Sequence, residues 1–389
     1  MRLALALILA AAAPAGPAAP EMRGLWVVRT GLGSPAAVDK VIEQAERGGF
    51  NALFVQVRGR GDAFYASDIV PRAELLKGQP ADFDPLAQLL ARARARGIEV
   101  HAWVNLLLSA SFARLPAANH IVAQHPEWVM IPRSNAAAAL HAPRDRLLAL
   151  SRLGDIEDVE GYYLSPSAPG VAEHLTAVVR ELLNRYAVDG LHLDFIRYPT
   201  RDHDYSRAAL EGFHGGPAPA AELLAGPGAR PEAWDNYRRE AVTRLVERLV
   251  VTARATRPHL RLSAAVVADE EQALHHKHQA WPTWASLGLL DAVCPMAYSA
   301  EAAVFRSQVE LARARAGSRT AVWAGVGAYR LDARETVERV RAARQLGAAG
   351  VVLFSHEWLE PPALDQLRAT VFVAPAASGA GTGTGPATR

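Results

Sequence analysis

The sequence predicts an α/β chain folded as a (β/α)8 TIM barrel with long βα loops, and three observations carry that expectation. Eight apolar, β-rich runs recur along the chain, helical runs lie between them, and polar side chains gather at the C-terminal ends of the strands. The 389 residues, 50% hydrophobic and 21% charged, can bury a sizeable core. Barrels of roughly 250 residues or more form single domains.

The elements follow in order. The first strand is MRGLWVVR, and a helix over about 36–47 ends at Gly48 and Gly49, with Ser34 before Pro35 as its N-cap. The second strand, NALFVQVR, leads into the loop GRGDAFYASDIVP. A helix over about 85–96 ends at Gly97, a natural helix stop. The third strand is IEVHAWVNLLL, and a long polar excursion fills roughly 109–169. A helix over 171–185 precedes the fourth strand, DGLHLDFIR, and a long helix covers 232–257. LRLSAAVVA, LLDAVCPMAY and TAVWAGVGAY are the fifth to seventh strands, with no helix assigned between the sixth and seventh. A helix over about 334–346, the eighth strand AGVVLFSH and a short helix over about 361–372 complete the barrel. An open dinucleotide-binding sheet is the competing architecture, but TGLGSP after the first strand has two glycines and lacks the third.

Three segments divide the chain. Residues 1–20 read as a secretory signal peptide: Arg2, an apolar run from Leu3 to Ala13, then small residues and prolines. The barrel is expected over 21–372, and 373–389 is a low-complexity tail. The signal predicts a periplasmic or secreted protein, and its apolar run is too short for a stable membrane span. A net charge of +2, from 42 basic and 40 acidic residues, gives no footprint for nucleic acid. The single cysteine, Cys294, lies in an apolar run and reads as core. No P-loop, HExxH or CxxC is present, and neither cofactor nor metal is expected.

VDGLHLDFIRYP, residues 188–199, is the most informative stretch. Side chains alternate across a strand, so Leu191 and Leu193 point one way and His192 and Asp194 the other. An aspartate ending so apolar a strand belongs either to a site or to a helix cap. Other strand ends carry Trp26; Gln56 and Arg58; His101, Trp103 and Asn105; Arg197 and Tyr198; Met296 and Tyr298; and His356, Glu357 and Trp358. Taken singly, Trp26, Trp103 and His101 also suit a core and Arg58 a structural ion pair. Converging on one barrel mouth, flat apolar faces and polar forks suit a sugar.

Glycoside hydrolysis ordinarily uses two carboxyl groups. Asp194 is the first candidate, Glu357 the second, with Asp62, Asp269 and Glu270 as competitors. HHKH at 275–278 and the His192/Asp194 pair raise a metal-dependent hydrolase as a rival, with few histidines to support it.

RGLWV, NALFVQVRGRGDAFYAS, GIEVHAWVN, HPEWV and VDGLHLDFIRYP, in this order, resemble the glycosyl-hydrolase-like family 10, exported bacterial barrels of which some act on peptidoglycan strands. The resemblance spans roughly 21–360 and implies that Asp194 is the carboxylate of the fourth strand. It implies that Arg58, His101, Trp103 and Asn105 are polar strand-end positions. The chain departs from the family at YYLSPSAPG, with Ser165 where an Asp is usual, and at PMAYSAE, where only Tyr298 carries over. The expected function is an exported glycosidase acting on a cell-envelope glycan, with peptidoglycan as the candidate. Asp194 and Glu357 would be catalytic; Trp26, Gln56, Arg58, His101, Trp103, Asn105, His192, Arg197, Tyr198, Tyr298 and His356 would bind substrate. A non-catalytic glycan-binding barrel is the alternative.

Overall fold

The computed structural model describes residues 20–157, 159–217 and 219–373. The expected signal peptide and tail lie outside the described residues, except for Pro20 and Val373 at their edges. Ten strands occur in chain order: β1 (Met22–Val27), β2 (Ala52–Arg58), β3 (Glu99–Asn105), β4 (Leu108–Ala110), β5 (Tyr162–Tyr163), β6 (Gly190–Asp194), β7 (Arg261–Val266), β8 (Ala292–Ala297), β9 (Ala321–Gly327) and β10 (Gly350–Phe354). Eight of them close a parallel barrel in the order β1-β10-β9-β8-β7-β6-β3-β2, while β4 and β5 pair antiparallel above it. The chain is a (β/α)8 barrel, with each barrel strand where the sequence predicts it.

Local chemistry explains the boundaries. The Ser34 hydroxyl accepts from Ala37 N at 3.2 Å and Pro35 opens the helix Pro35–Gly48, which Gly49 ends in the left-handed region. The helix Ala302–Ala316, unassigned from sequence, buries Phe305, Val309, Ala312 and Ala316 between β8 and β9. The polar excursion also has structure of its own, including the helix Pro143–Glu157 and the β4–β5 pair.

Alternation divides the core in two. Outward positions such as Leu53, Val55, Leu191 and Leu193 pack beneath the helices. Inward positions fill the barrel with Met22, Trp26, Phe54, Trp103, Cys294, Trp323 and Val352. Phe54 stacks on His101 with centroids 4.5 Å apart, and Trp323 meets both edge-on. Two glycines make room for these rings: a Cβ on Gly190 would lie 2.1 Å from His101 Nδ1, and one on Gly325 3.1 Å from Trp26. Above them Trp26 Nε1 donates to His192 Nε2 at 3.2 Å, and His192 Nδ1 lies 2.9 Å from Ser263 Oγ. The indole can only donate, so His192 carries its proton on Nδ1.

The loops after β3 and β6 are joined to each other. Tyr205 N donates to Ile131 O at 2.6 Å and Arg133 N to Asp202 O at 2.8 Å. The buried Asp204 carboxylate accepts from Ile131 N at 3.2 Å and Ser206 N at 2.7 Å. Tyr198 N donates to Lys277 O at 2.9 Å, which ties in the loop after β7.

Burial depresses several histidines. His174 and His203 are pushed down to about 3, His278 to about 2 and His356 to about 4, desolvation being the largest cause in each. They stay neutral in the fold, whereas the unfolded chain takes up protons near pH ~6.5. Below that pH the unfolded state binds more protons, so stability falls as pH falls, by about 1.4 kcal/mol per pH unit for each such ring. The melting temperature should therefore decline steeply from about pH 6.5 toward about pH 4.5. A melting temperature constant across that interval would contradict the assignment.

Candidate active site

The C-terminal mouth of the barrel opens into a cavity of about 380 Å³. Four rings wall its base. Phe354 lies 6.1 Å from Trp26, 6.5 Å from Trp103 and 5.5 Å from Tyr298, centroid to centroid. They come from β1, β3, β10 and the turn after β8, so the inward parity of separate strands brings them together.

Asp194 ends β6, one inward position above His192. The next residue, Phe195, has φ 48°, and this turn directs its N–H back to the carboxylate. Asp194 Oδ1 accepts from Phe195 N at 2.6 Å and from the Arg197 guanidinium at 2.8 Å. Arg197 also lies over the Phe195 ring, 4.2 Å from its centroid. Burial works against the Arg197 charge, but Asp194, Tyr163 and Glu160 outweigh it and raise the guanidinium pKa. Asp194 Oδ2 accepts no hydrogen bond among the described residues. Burial, and then the Asp194 charge, push the Tyr298 phenol well above its ordinary range, so it remains an O–H.

Gln56 and Asn105 line the cavity with much of their hydrogen-bonding capacity already used. Asn105 Oδ1 accepts from Trp103 Nε1 at 2.8 Å and Gln56 Nε2 at 3.4 Å, while Asn105 Nδ2 donates to Gly59 O at 2.8 Å. Gln56 Oε1 accepts from Arg29 N at 3.3 Å. These amides hold Trp103 and two strand ends in place, and each keeps one N–H outside these bonds.

Of the residues expected from sequence, the cavity brings together Asp194, Glu357, Trp26, Gln56, Trp103, Asn105, Arg197 and Tyr298. Five others stand elsewhere. Strand pairing shifts between Gln56 and Arg58, so Arg58 pairs with the outward Val104 and is buried, donating to the carbonyls of Asn105 and Leu106. His101 and His192 lie in lower layers of the barrel, fully buried among rings. Tyr198 lies beyond the turn at Phe195 and packs on His278, centroids 5.2 Å apart. His356 begins a 3-10 turn and its ring is packed close to Gly31. Ser165 is likewise buried, in a turn that closes on Trp128 O.

The competing carboxylates are occupied. Asp62 accepts from Arg60 N at 2.8 Å, Asp269 from Gln272 N at 2.8 Å, and Glu270 pairs with Arg315 at 2.8 Å. Among the described residues, no three His, Cys, Asp or Glu side chains are grouped so as to hold a metal ion.

Three charged residues not expected from the sequence line the cavity: Glu160, Arg29 and Arg60. Glu160 comes from the long excursion and accepts from the Tyr163 hydroxyl at 2.7 Å. Glu357 accepts from the Thr30 hydroxyl. β6 and β10 are four places apart in the ring of eight, so Glu357 approaches from the side opposite Asp194. Arg29 and Arg60 also line an adjoining groove of about 1030 Å³.

Replacing Asn105 with Leu would strand the Trp103 N–H and the Gly59 carbonyl. A buried polar group left unpaired costs about 1–3 kcal/mol. Asn105→Leu should therefore melt well below the wild type, as followed by circular dichroism; an unchanged melting temperature would show that the amide lattice carries no load.

Known proteins bear on this geometry. "Glycosyl hydrolase YngK" of Bacillus subtilis (strain 168) is 25% identical over 228 residues, 57% of this chain and 38% of that protein. "Glycosyl hydrolase DigH" of Escherichia coli (strain K12) is 26% identical over 208 residues, 44% of this chain and 41% of that protein. The matches thus span less than half the length of either relative. The glycoside hydrolase domain of PgaB (BpsB) from Bordetella bronchiseptica superposes with a TM-score of 0.65 at 16% identity, covering 90% of this chain and 99% of that one. An α-L-fucosidase isoenzyme from Paenibacillus thiaminolyticus gives 0.58 at 14% identity, over 89% of this chain and 48% of that one. Both structural likenesses bear on the fold. The family described as "Glycosyl hydrolase-like 10" matches residues 21–339, nearly the whole barrel, and the chain belongs to that family.

Proposed function

We propose that this protein is an exported glycoside hydrolase that cleaves O-glycosidic bonds in a bacterial cell-envelope glycan, with peptidoglycan as the first candidate. The observation that carries the reading is Asp194: one oxygen fixed by Phe195 N and Arg197, the other unbonded, in a cavity walled by Trp26, Trp103, Tyr298 and Phe354. Rings stack on the apolar faces of a sugar, and the Arg197 guanidinium holds one Asp194 oxygen in place. Asp194 acts as nucleophile or as stabiliser of the oxocarbenium-like transition state. Family membership and relatives named as glycosyl hydrolases support the reaction class. The signal-like residues 1–20 support export.

The second carboxyl is Glu160, with Glu357 as the competing assignment. Arg197 and Tyr163 each feel both Asp194 and Glu160, so those two carboxylates belong to one charge cluster. In this scheme Glu160 protonates the leaving oxygen, while Glu357, held by Thr30 on the opposite rim, contacts a sugar hydroxyl.

The primary test is digestion of purified peptidoglycan, with and without its stem peptides, with released fragments identified by mass. Fragments should come from the wild type and not from Asp194→Asn, whose folding is checked by circular dichroism. Full activity in Asp194→Asn would remove Asp194 from the mechanism, and glycan binding without fragments would favour a binding barrel.

Leaving groups separate the two glutamates. General acid catalysis is worth roughly 10²–10⁴-fold. Glu160→Gln should lose that much on glycans and recover on an aryl glycoside whose leaving group needs no proton. The same pattern in Glu357→Gln instead would reverse the assignment.

A further inference from the structure

Arg29 and Arg60 stand where two cavities meet. Both line the Asp194 cavity of about 380 Å³ and the adjoining groove of about 1030 Å³. Arg29 follows β1 and its side chain lies over Gly59, with Cδ 3.3 Å from where a Cβ there would be. Arg60 follows β2, and the adjacent Gly59 and Gly61 keep its turn close to the strand end.

Neither guanidinium has a carboxylate partner within ion-pair distance among the described residues, unlike Arg114 in the same groove, which pairs with Glu74. Arg60 Nε is buried and donates to no partner. Burial lowers the Arg60 pKa and the like charge of Arg29 lowers it further, while Asp62 and Glu160 act in the opposite direction. Those acids are turned to other donors: Asp62 to the backbone N–H of Arg60, Glu160 to Tyr163. Two neighbouring cations with no carboxylate in ion-pair contact among the described residues are placed to take a bound anion.

We infer that Arg29 and Arg60 form a subsite for a carboxylate carried by the sugar next to the one held at Asp194, so that the substrate is an acidic glycan. A guanidinium fork matches the plane of a carboxylate, and the neighbouring groove has room for the chain to continue. The inference rests on the glycoside hydrolase reading for its substrate, but binding alone can test it. The carboxylate has two sources: the lactyl ether of a muramic residue or a uronic acid.

The test is calorimetric titration of Asp194→Asn protein. The ligands are peptide-free peptidoglycan strands and hyaluronan oligosaccharides, each alongside a counterpart whose carboxyls have been reduced to alcohols. The intact form of at least one glycan should bind more tightly than its reduced form by roughly tenfold, about 1.4 kcal/mol. That preference should vanish in Arg29→Gln/Arg60→Gln and persist in part in Arg60→Lys, which keeps the charge without the fork. A preference on the first glycan alone identifies the lactyl carboxylate, and on the second alone a uronic acid.

Equal binding of intact and reduced glycans, a preference untouched by the double substitution, or no binding to any of the four would overturn the subsite. Charge-dependent binding lost in the double variant, with no cleavage by wild type, would sustain the subsite and remove the hydrolase.

Discussion

The site stands on a plug of rings. A barrel of eight strands has an interior that side chains must fill, and here Phe54, His101, Trp323, Trp26 and His192 fill it in successive layers. Glycines on neighbouring strands give up their own side-chain volume to admit these rings. The hydrogen-bonded sequence Trp26–His192–Ser263 then fixes the indole from below, and burial keeps His192 neutral. Asp194 is the next inward residue after His192, so the position of the carboxylate follows from the packing of the layer beneath it.

Above the plug, polarity is arranged to hold position. The Asp194–Arg197 pair is nearly buried, with side chains 7% and 10% exposed. Such pairs gain little net stability, because desolvation offsets attraction. Their value here is directional: one carboxylate oxygen is fixed and the other left for chemistry. The amides of Gln56 and Asn105 act similarly, orienting Trp103 and joining β2 to β3, which leaves the aromatic faces to meet a ligand.

Much of this was legible in the sequence, and the exceptions have physical causes. Strand parity in GLHLD and EVHAWVN fixes which residues face inward, and it locates Asp194, Trp103 and Asn105 at the mouth. Parity does not reveal height, so His101 and His192 could not be distinguished from residues one layer higher. It also fails where pairing slips, as at Arg58, or where the chain turns, as before Tyr198 and His356. Glu160 lies in an excursion with no periodic pattern, and only the folded β4–β5 pair beside it brings it to the cavity. The helix Ala302–Ala316 has a regular buried spacing, but its alanines dilute the apolar contrast on which such a reading depends.

The backbone bonds between the loops after β3 and β6 have a mechanical consequence. Asp204 is fully buried, and its Oδ1 accepts from N–H groups of both segments. Pulling either segment away alone would leave a carboxylate short of donors in an apolar setting, a state costly enough to be rare. The two segments therefore behave as one slab, hinged at its ends if it moves at all. The opposite rim has only short turns, Arg29–Leu32, Ala328–Arg330 and His356–Trp358, with Trp358 well exposed. The mouth is thus lopsided: interlocked loops carry Asp194 and Arg197, and separate short turns face them.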